Sequence, residues 1–471
     1  MKAVGLAGLV TLGVANLAAT GMGWRAATPA PGGSYGPAFI VSLGIFLAVL
    51  IAVALPSIHE TAAALLGAVV LWLVSYVGGT FWPALRIIDF DQSMSVVDWN
   101  VIFLVLGMMI FMAMFSETGV FRWLAFRAFR LARGNAWVLG LVLVGLAGVT
   151  SSLLNNATAM LLLVPLSIQI ALTVGVHPFT YVIPEVLAAN IGGAATLIGD
   201  PPSTIVGSHL GLGFFEYAIQ AAPVVLMCLI LLLGMWAWLY RHELRGAKGR
   251  VSPELVRQLE AGAQITDVPL LRKASVVGVV TLILFFVGDR FSLPPSVIAM
   301  TGATWLIAWV RPDMHRMLRE VDWTTLFFFI GIFVLVGGLK NGGVIDWLAD
   351  VIARLAGQSL ALATILMVWV SGLVSGAIDN IPFTIAVLPI ADSLTKAIPA
   401  ARDSQVLYWA LILGADLGGN ATRIGSAANI VAAGLLAQAG YRMGFGRFLR
   451  DGALVTAATL VVATLWLLIR Y

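Results

Sequence analysis

The chain has 471 residues, of which 60% are hydrophobic and only 11% charged, against about a quarter charged in a soluble domain. Its 27 basic and 23 acidic residues leave a net charge of +4, which reflects loop arginines of a membrane protein and not nucleic-acid binding. One cysteine, Cys228, excludes a disulfide framework, and five histidines without ligand spacing give no metal centre, so neither a cofactor nor an enzyme's catalytic constellation is expected.

Apolar stretches of about 20 residues predict spanning helices near 3–20, 37–55, 58–79, 99–118, 217–240, 273–290, 294–311, 322–340 and 449–470. Residues 1–20 read as a retained helix rather than a signal peptide, because the run is glycine-rich and the count of crossings needs it. Arg122, Arg127, Arg130 and Arg133 punctuate an amphipathic helix at 121–133 that carries no acid. The longest polar stretch, 241–273, holds seven basic residues and is a cytoplasmic linker by charge.

Between the helices at 99–118 and 217–240 the pattern changes. Residues 136–150 and 157–173 are apolar but meet at Ser151-Ser152-Leu153-Leu154-Asn155-Asn156, and the first arm is only about 22 Å long at 1.5 Å per residue. A re-entrant hairpin is expected there, and another at 360–377 and 380–397 with Asp379-Asn380 at its tip. Each is followed by a helix broken by glycine and polar residues, at 190–202 and at 416–429. Unwound backbone at membrane depth is tolerated only where it is buried or lines a polar cavity.

The second half repeats the first. Val97-Asp98-Trp99 returns as Val321-Asp322-Trp323, 224 positions on, and Ser151, Asn156 and Pro165 return as Ser375, Asn380 and Pro389. With the register moved to 226, Gly192-Gly193, Thr196 and Gly199 return as Gly418-Gly419, Thr422 and Gly425. The arginine-rich helix 121–133 corresponds to 345–357, which carries Asp346 and Asp350, and the acidic loop 80–98 corresponds to the basic 311–320. Opposite charge bias on one pattern predicts repeats inverted in the membrane. The fold class expected is an all-α polytopic membrane protein of about 11 transmembrane helices, with inverted repeats that each hold a re-entrant hairpin and a broken helix. Its parts are an extra N-terminal helix and loop (1–36), a first repeat (37–240), the linker (241–272) and a second repeat (273–471). The N-terminus is expected inside and the C-terminus outside.

Tips and breaks together define a candidate midplane site. Its solute ligands are expected to be Asn155, Asn156, Thr158, Asn190, Gly192, Gly193, Thr196, Asp379, Asn380, Gly418, Gly419, Asn420 and Thr422, with Thr384 as a further hydroxyl. Amides both donate and accept, which suits a hydroxylated or hydrated solute; the plainer reading is that Asn and Thr glue helices together. Asp379 and Asp416 replace Asn155 and Asn190 in the second half, and Asp200 faces Ser426 across the repeat. Intramembrane carboxylates serve ion or proton paths, so Asp200, Asp379, Asp416 and Arg423 are the candidate coupling residues, Arg423 as a partner of Asp379 or Asp416. Glu185 and Glu117 read as interfacial or helix-contact acids.

At Asn155-Asn156-Ala157-Thr158, the 190–202 run, Asp379-Asn380-Ile381-Pro382-Phe383 and the 417–429 run, the chain resembles the ArsB/NhaD and P-protein permeases of the ion-transporter superfamily. The resemblance covers nearly the whole chain. It implies a scaffold that dimerises, a moving transport part, elevator-type alternation in the plasma membrane, and an accessory ATPase subunit as a partner. It also implies arsenite or antimonite efflux in exchange for protons, with a sodium–proton antiporter using Asp379 and Asp416 as direct ligands as the alternative. A dicarboxylate or other anion is less favoured, because the Ser-Asn-Thr signatures of the related dicarboxylate carriers are absent.

Overall fold

The computed structural model describes residues 36–471 except 55–57, 132–134, 247–263, 292, 357–358 and 403. The expected helix at 3–20 and most of the 241–272 linker lie outside the described residues. Among the described residues, helices of eight residues or more fall into two sets of nine. The first half contains α1 (Pro37–Ala54), α2 (Glu60–Leu73), α3 (Trp99–Glu117), α4 (Val120–Leu131), α5 (Ala136–Ser151), α6 (Asn156–Val174), α7 (Phe179–Gly193), α8 (Pro201–His209) and α9 (Phe214–Leu239). In the second half come α10 (Val268–Val287), α11 (Pro295–Val310), α12 (Trp323–Asn341), α13 (Val344–Ala356) and α14 (Leu360–Ala377). It closes with α15 (Asn380–Ala397), α16 (Val406–Gly418), α17 (Ala427–Gln438) and α18 (Phe445–Arg470).

Eight described helical stretches are long and apolar enough to cross a membrane: 60–81, 99–117, 156–174, 214–239, 268–287, 323–341, 360–377 and 445–470. Shorter apolar helices stand at 37–53, 136–151, 295–310, 406–418 and 427–438. The all-α polytopic membrane architecture is therefore present. α2 runs on through a π-helical turn at Val74–Gly78, and α10 begins at Val268, five residues before the hydropathy edge, because Asp267 caps it through Leu270 N at 2.8 Å. The 80–98 stretch, read as a loop, contains a short helix Phe90–Val96 closed by an Asp89/Gln92 capping box.

α1, α2, α12, α13 and the later part of α15 form one compact unit (1–99, 322–360 and 385–403); the remaining elements form the other. The units share an internal pattern. In the first, Gly331 of α12 lies on the α2 backbone, where an added Cβ would be 2.9 Å from the Ala64 carbonyl carbon, and Thr61 donates to Thr324 O at 2.8 Å. In the second, Gly107 of α3 lies on α11, 2.8 Å by the same measure from the Ala299 carbonyl carbon, and Ser296 donates to Asn100 Oδ1 at 2.9 Å. Gly107 and Gly331 are 224 positions apart, so each half's third helix packs on the other half's second. Gly119 and Gly343, also 224 apart, both take left-handed backbone (φ 77 and 78) and turn the chain into the amphipathic α4 and α13.

Candidate functional site

All the residues that form the network described here lie in the second unit. Each broken helix is set against the hairpin of its own half. Gly192 of α7 approaches α5 so closely that a Cβ would fall 2.1 Å from Gly148 O; Gly418 of α16 meets Gly372 of α14 in the same way, at 2.4 Å. The Thr196 hydroxyl donates to Ser152 O, and Thr422 donates to Gly376 O at 2.6 Å. Ser152 and Gly376 are one repeat position, so these two threonines tie break to hairpin identically in both halves.

At the hairpin tips, Asn155 accepts from Ala157 N and Asp379 from Ile381 N, each at 2.9 Å, which caps the helix leaving the tip. The next residue reaches inward. Asn156 Nδ2 donates to Asn190 Oδ1 at 3.3 Å while its own Oδ1 accepts from Ser151, and Asn380 Nδ2 donates to Asp200 Oδ2 at 3.1 Å. Thr384 turns back onto Asn380 O at 2.7 Å, and Thr158 stands half-buried in the first turn of α6.

Two hubs organise the interior. Asn190 donates to Asn420 Oδ1 and Asn429 Oδ1, both at 2.9 Å, and accepts from Ser426 at 3.0 Å. Asn420 Nδ2 donates to Leu187 O at 3.2 Å, and Asn429 Nδ2 to the Gly419 and Thr422 carbonyls at 2.8 Å. Its equivalent 226 positions on, Asp416, accepts from Ser203 Oγ at 2.9 Å and lies within hydrogen-bonding reach of Asp200. Ser203 in turn accepts from the Tyr217 hydroxyl at 2.7 Å. Positions 200 and 426, and 203 and 429, are also 226 apart. Each hub is therefore held by the end of the break and the first turn of the distal helix of the other half. One hub is wholly amide and hydroxyl; the other joins two carboxyl groups.

Both carboxyls are buried, and among the described residues neither meets a basic side chain. Arg423 instead donates to Met443 O at 3.0 Å. No N–H or O–H donor among the described residues reaches Asp416 Oδ1. Among the described residues no group of three or more His, Cys, Asp and Glu is placed to hold a metal ion. The sequence pattern by itself assigns no role to Ser203, Tyr217, Ser426 or Asn429. The 226 register was the available signal, since it aligns 203 with 429 and 200 with 426.

The citrate transporter profile (CitMHS) matches residues 45–414. The chain belongs to the citrate transporter family. Within CitMHS and its relatives, it is 35% identical to a transporter of Mycobacterium tuberculosis over 92% of this chain and 99% of that one. It is 31% identical to the human P protein, over 88% of this chain and 58% of the P protein. Among solved structures, it is similar to the Neisseria gonorrhoeae MtrF structure, described as illuminating a class of antimetabolite efflux pumps, with TM-score 0.61, 12% identity, and 90% and 97% of the two chains covered. The Alcanivorax borkumensis YdaH transporter follows at TM-score 0.55, 14% identity, and 87% and 98%. These two establish the fold. The P-protein side of the motif resemblance is thus met by sequence identity, and the chain is a multi-pass membrane transporter of the ion-transporter type.

Proposed function

We propose that this transporter is a secondary, proton-coupled antiporter, that the Asp200–Asp416 pair carries the proton, and that the solute is a small neutral polyhydroxyl species of the arsenite/antimonite class, exported by elevator-type alternation. The observation that carries the reading is the buried carboxyl pair with no cation beside it among the described residues. Two like charges in contact cannot both be ionised away from water, so the pair gains or loses a proton whenever its surroundings change. Only a change of surroundings between inward and outward states can load and release that proton. Asn156, Asn380 and Asn420 offer donors and acceptors but no fixed charge, which suits the hydroxyls of trivalent arsenic. With Cys228 alone in the chain, capture by several thiolates is not available.

The family's description favours citrate as a second reading. A tricarboxylate beside Asp200 and Asp416 meets like charge, and the one arginine of the second break is engaged at Met443; that argues for the neutral solute. A homodimeric scaffold is the assembly that fits an elevator.

The test is an imposed pH gradient in everted vesicles carrying the protein, with a pH dye. Arsenite or antimonite should discharge the gradient, and Asp416→Asn and Asp200→Asn should each abolish the response. Discharge by citrate with none by arsenite would move the assignment to the tricarboxylate; discharge by sodium ions alone would move it to a sodium–proton antiporter.

A further inference from the structure

Glu185 lies in the middle of α7, fully buried. Its Oε1 accepts from Ser167 Oγ on α6 at 2.5 Å, and its Oε2 has no hydrogen-bond partner. Tyr181, one turn earlier on α7, is the titratable neighbour, and its hydroxyl is engaged by Ala136 O at 2.9 Å. The titratable groups on the other elements packed against α7 are Glu216, Tyr217 and Cys228 on α9, Tyr408 and Asp416 on α16, and Arg447, Arg450, Asp451 and Arg470 on α18. None of them hydrogen-bonds to Glu185.

An ionised carboxylate in such a place, with one hydroxyl donor and no cation beside it among the described residues, would be poorly solvated, which favours the neutral acid. Among the described residues no donor reaches Oε2, so the Ser167 hydroxyl alone serves the carboxyl. In the repeat, Glu185 corresponds to Leu411 and Ser167 to Ala391, so neither polar group is duplicated in the second half. Glu185 also stands five residues before the hub Asn190 on one helix, about 7.5 Å along its axis.

We propose that Glu185 is a second proton-binding site of the transport cycle, separate from the Asp200–Asp416 pair and present in the first half only. Its role in coupling rests on the proton-antiport reading, but its proton can be observed without any solute. Infrared spectroscopy of the purified protein in lipid should show a protonated-carboxyl band that Glu185→Gln removes and Asp200→Asn/Asp416→Asn retains. The band should shift in D2O and fade as the pH is raised. Should Glu185→Gln fail to fold, Glu185→Leu/Ser167→Ala, which copies the second half, supplies the reference spectrum. In vesicles, Glu185→Gln should lower the number of protons exchanged per solute. No band difference between wild type and Glu185→Gln overturns the proposal, as does a band that neither exchanges nor titrates, or an unchanged proton-to-solute ratio. An exchanging, titrating band in a protein that moves no protons would remove the antiport reading, and with it Glu185's place in a cycle, while leaving an exchangeable acid at this position.

Discussion

Asn190 and Asp416 occupy equivalent points of the two halves, yet one can hold only hydrogen bonds and the other can also hold a proton. Asp416→Asn turns the second hub into a copy of the first and is expected to fold, because the amide still accepts from Ser203. It should lose proton-driven transport while keeping solute exchange without a gradient; wild-type proton-coupled export from this variant would sink the assignment. Asn190→Ala should fail differently. It strands Asn156, Asn420, Asn429 and Ser426, and leaving several buried polar groups unpaired costs about 2–4 kcal/mol. Thermal unfolding in detergent should show that loss for Asn190→Ala and little of it for Asp416→Asn. Asp322, the N-cap of α12, offers a pH-dependent case outside the membrane core. Its burial opposes ionisation, but the hydroxyls and backbone N–H groups of Thr324 and Thr325 outweigh that and hold its carboxyl below the usual carboxylate range. A lowered value means the cap stabilises the fold above the unfolded carboxyl's pKa, about 3.9, and that this contribution fades as pH falls through the folded value. Asp322→Ala should therefore cost about 1 kcal/mol at pH 7 and converge with wild type under strong acid, as followed by unfolding midpoints across pH.

The helices were legible because the membrane imposes one rule on all of them: backbone satisfied internally and an apolar surface. That rule fixed α1, α3, α9, α12 and α18 to within a few residues. It was silent on Phe90–Val96, where capping by Asp89 and not hydropathy makes the helix. The breaks were legible from glycine, proline and aspartate in apolar runs. Their partners were not, because Asn190 meets Asn420 and Asn429 across 230 and 239 residues, and nothing local specifies which chain segments cross. Glycine content also hides which glycines bear the architecture. Gly192 and Gly418 do, since any Cβ there enters a facing backbone, whereas Gly145 and Gly434 have nothing within 4 Å. Gly192→Ala and Gly418→Ala should separate break from hairpin and abolish both stable purification and transport. Gly145→Ala, at a half-buried position, and Gly434→Ala, at an exposed one, both meet open space and should be neutral or slightly stabilising. Size-exclusion profiles of the four variants decide the matter, and a monodisperse, active Gly192→Ala would refute the close crossing.

Over the whole chain, the repeat is written twice, once in packing and once in charge. In packing, Gly107 on Ala299 and Gly331 on Ala64 show each half leaning on the other, and the hubs at Asn190 and Asp416 exchange partners in the same reciprocal way. In charge, the halves disagree. α4 carries Arg122, Arg127 and Arg130 with no acid, and Arg127 lies over the Trp123 ring at 5.1 Å; α13 carries Asp346, Asp350 and Arg354. Arginines beside spanning helices stay on the cytoplasmic side, and a duplicated unit that keeps its fold but reverses its charge bias is one that has been inserted in the opposite direction. α4 should thus lie at the cytoplasmic surface and α13 at the outer one, although both follow a left-handed glycine at the same repeat position. In a Cys228→Ser background, single cysteines at Arg127 and Asp350 should react with a membrane-impermeant maleimide from opposite sides. Arg127→Cys should be labelled only in everted vesicles and Asp350→Cys only in intact cells. If both are labelled from one side, the halves are parallel. The reciprocal hubs would then need a different origin, and a site that alternates between two faces by exchanging the roles of two inverted halves would lose its structural basis.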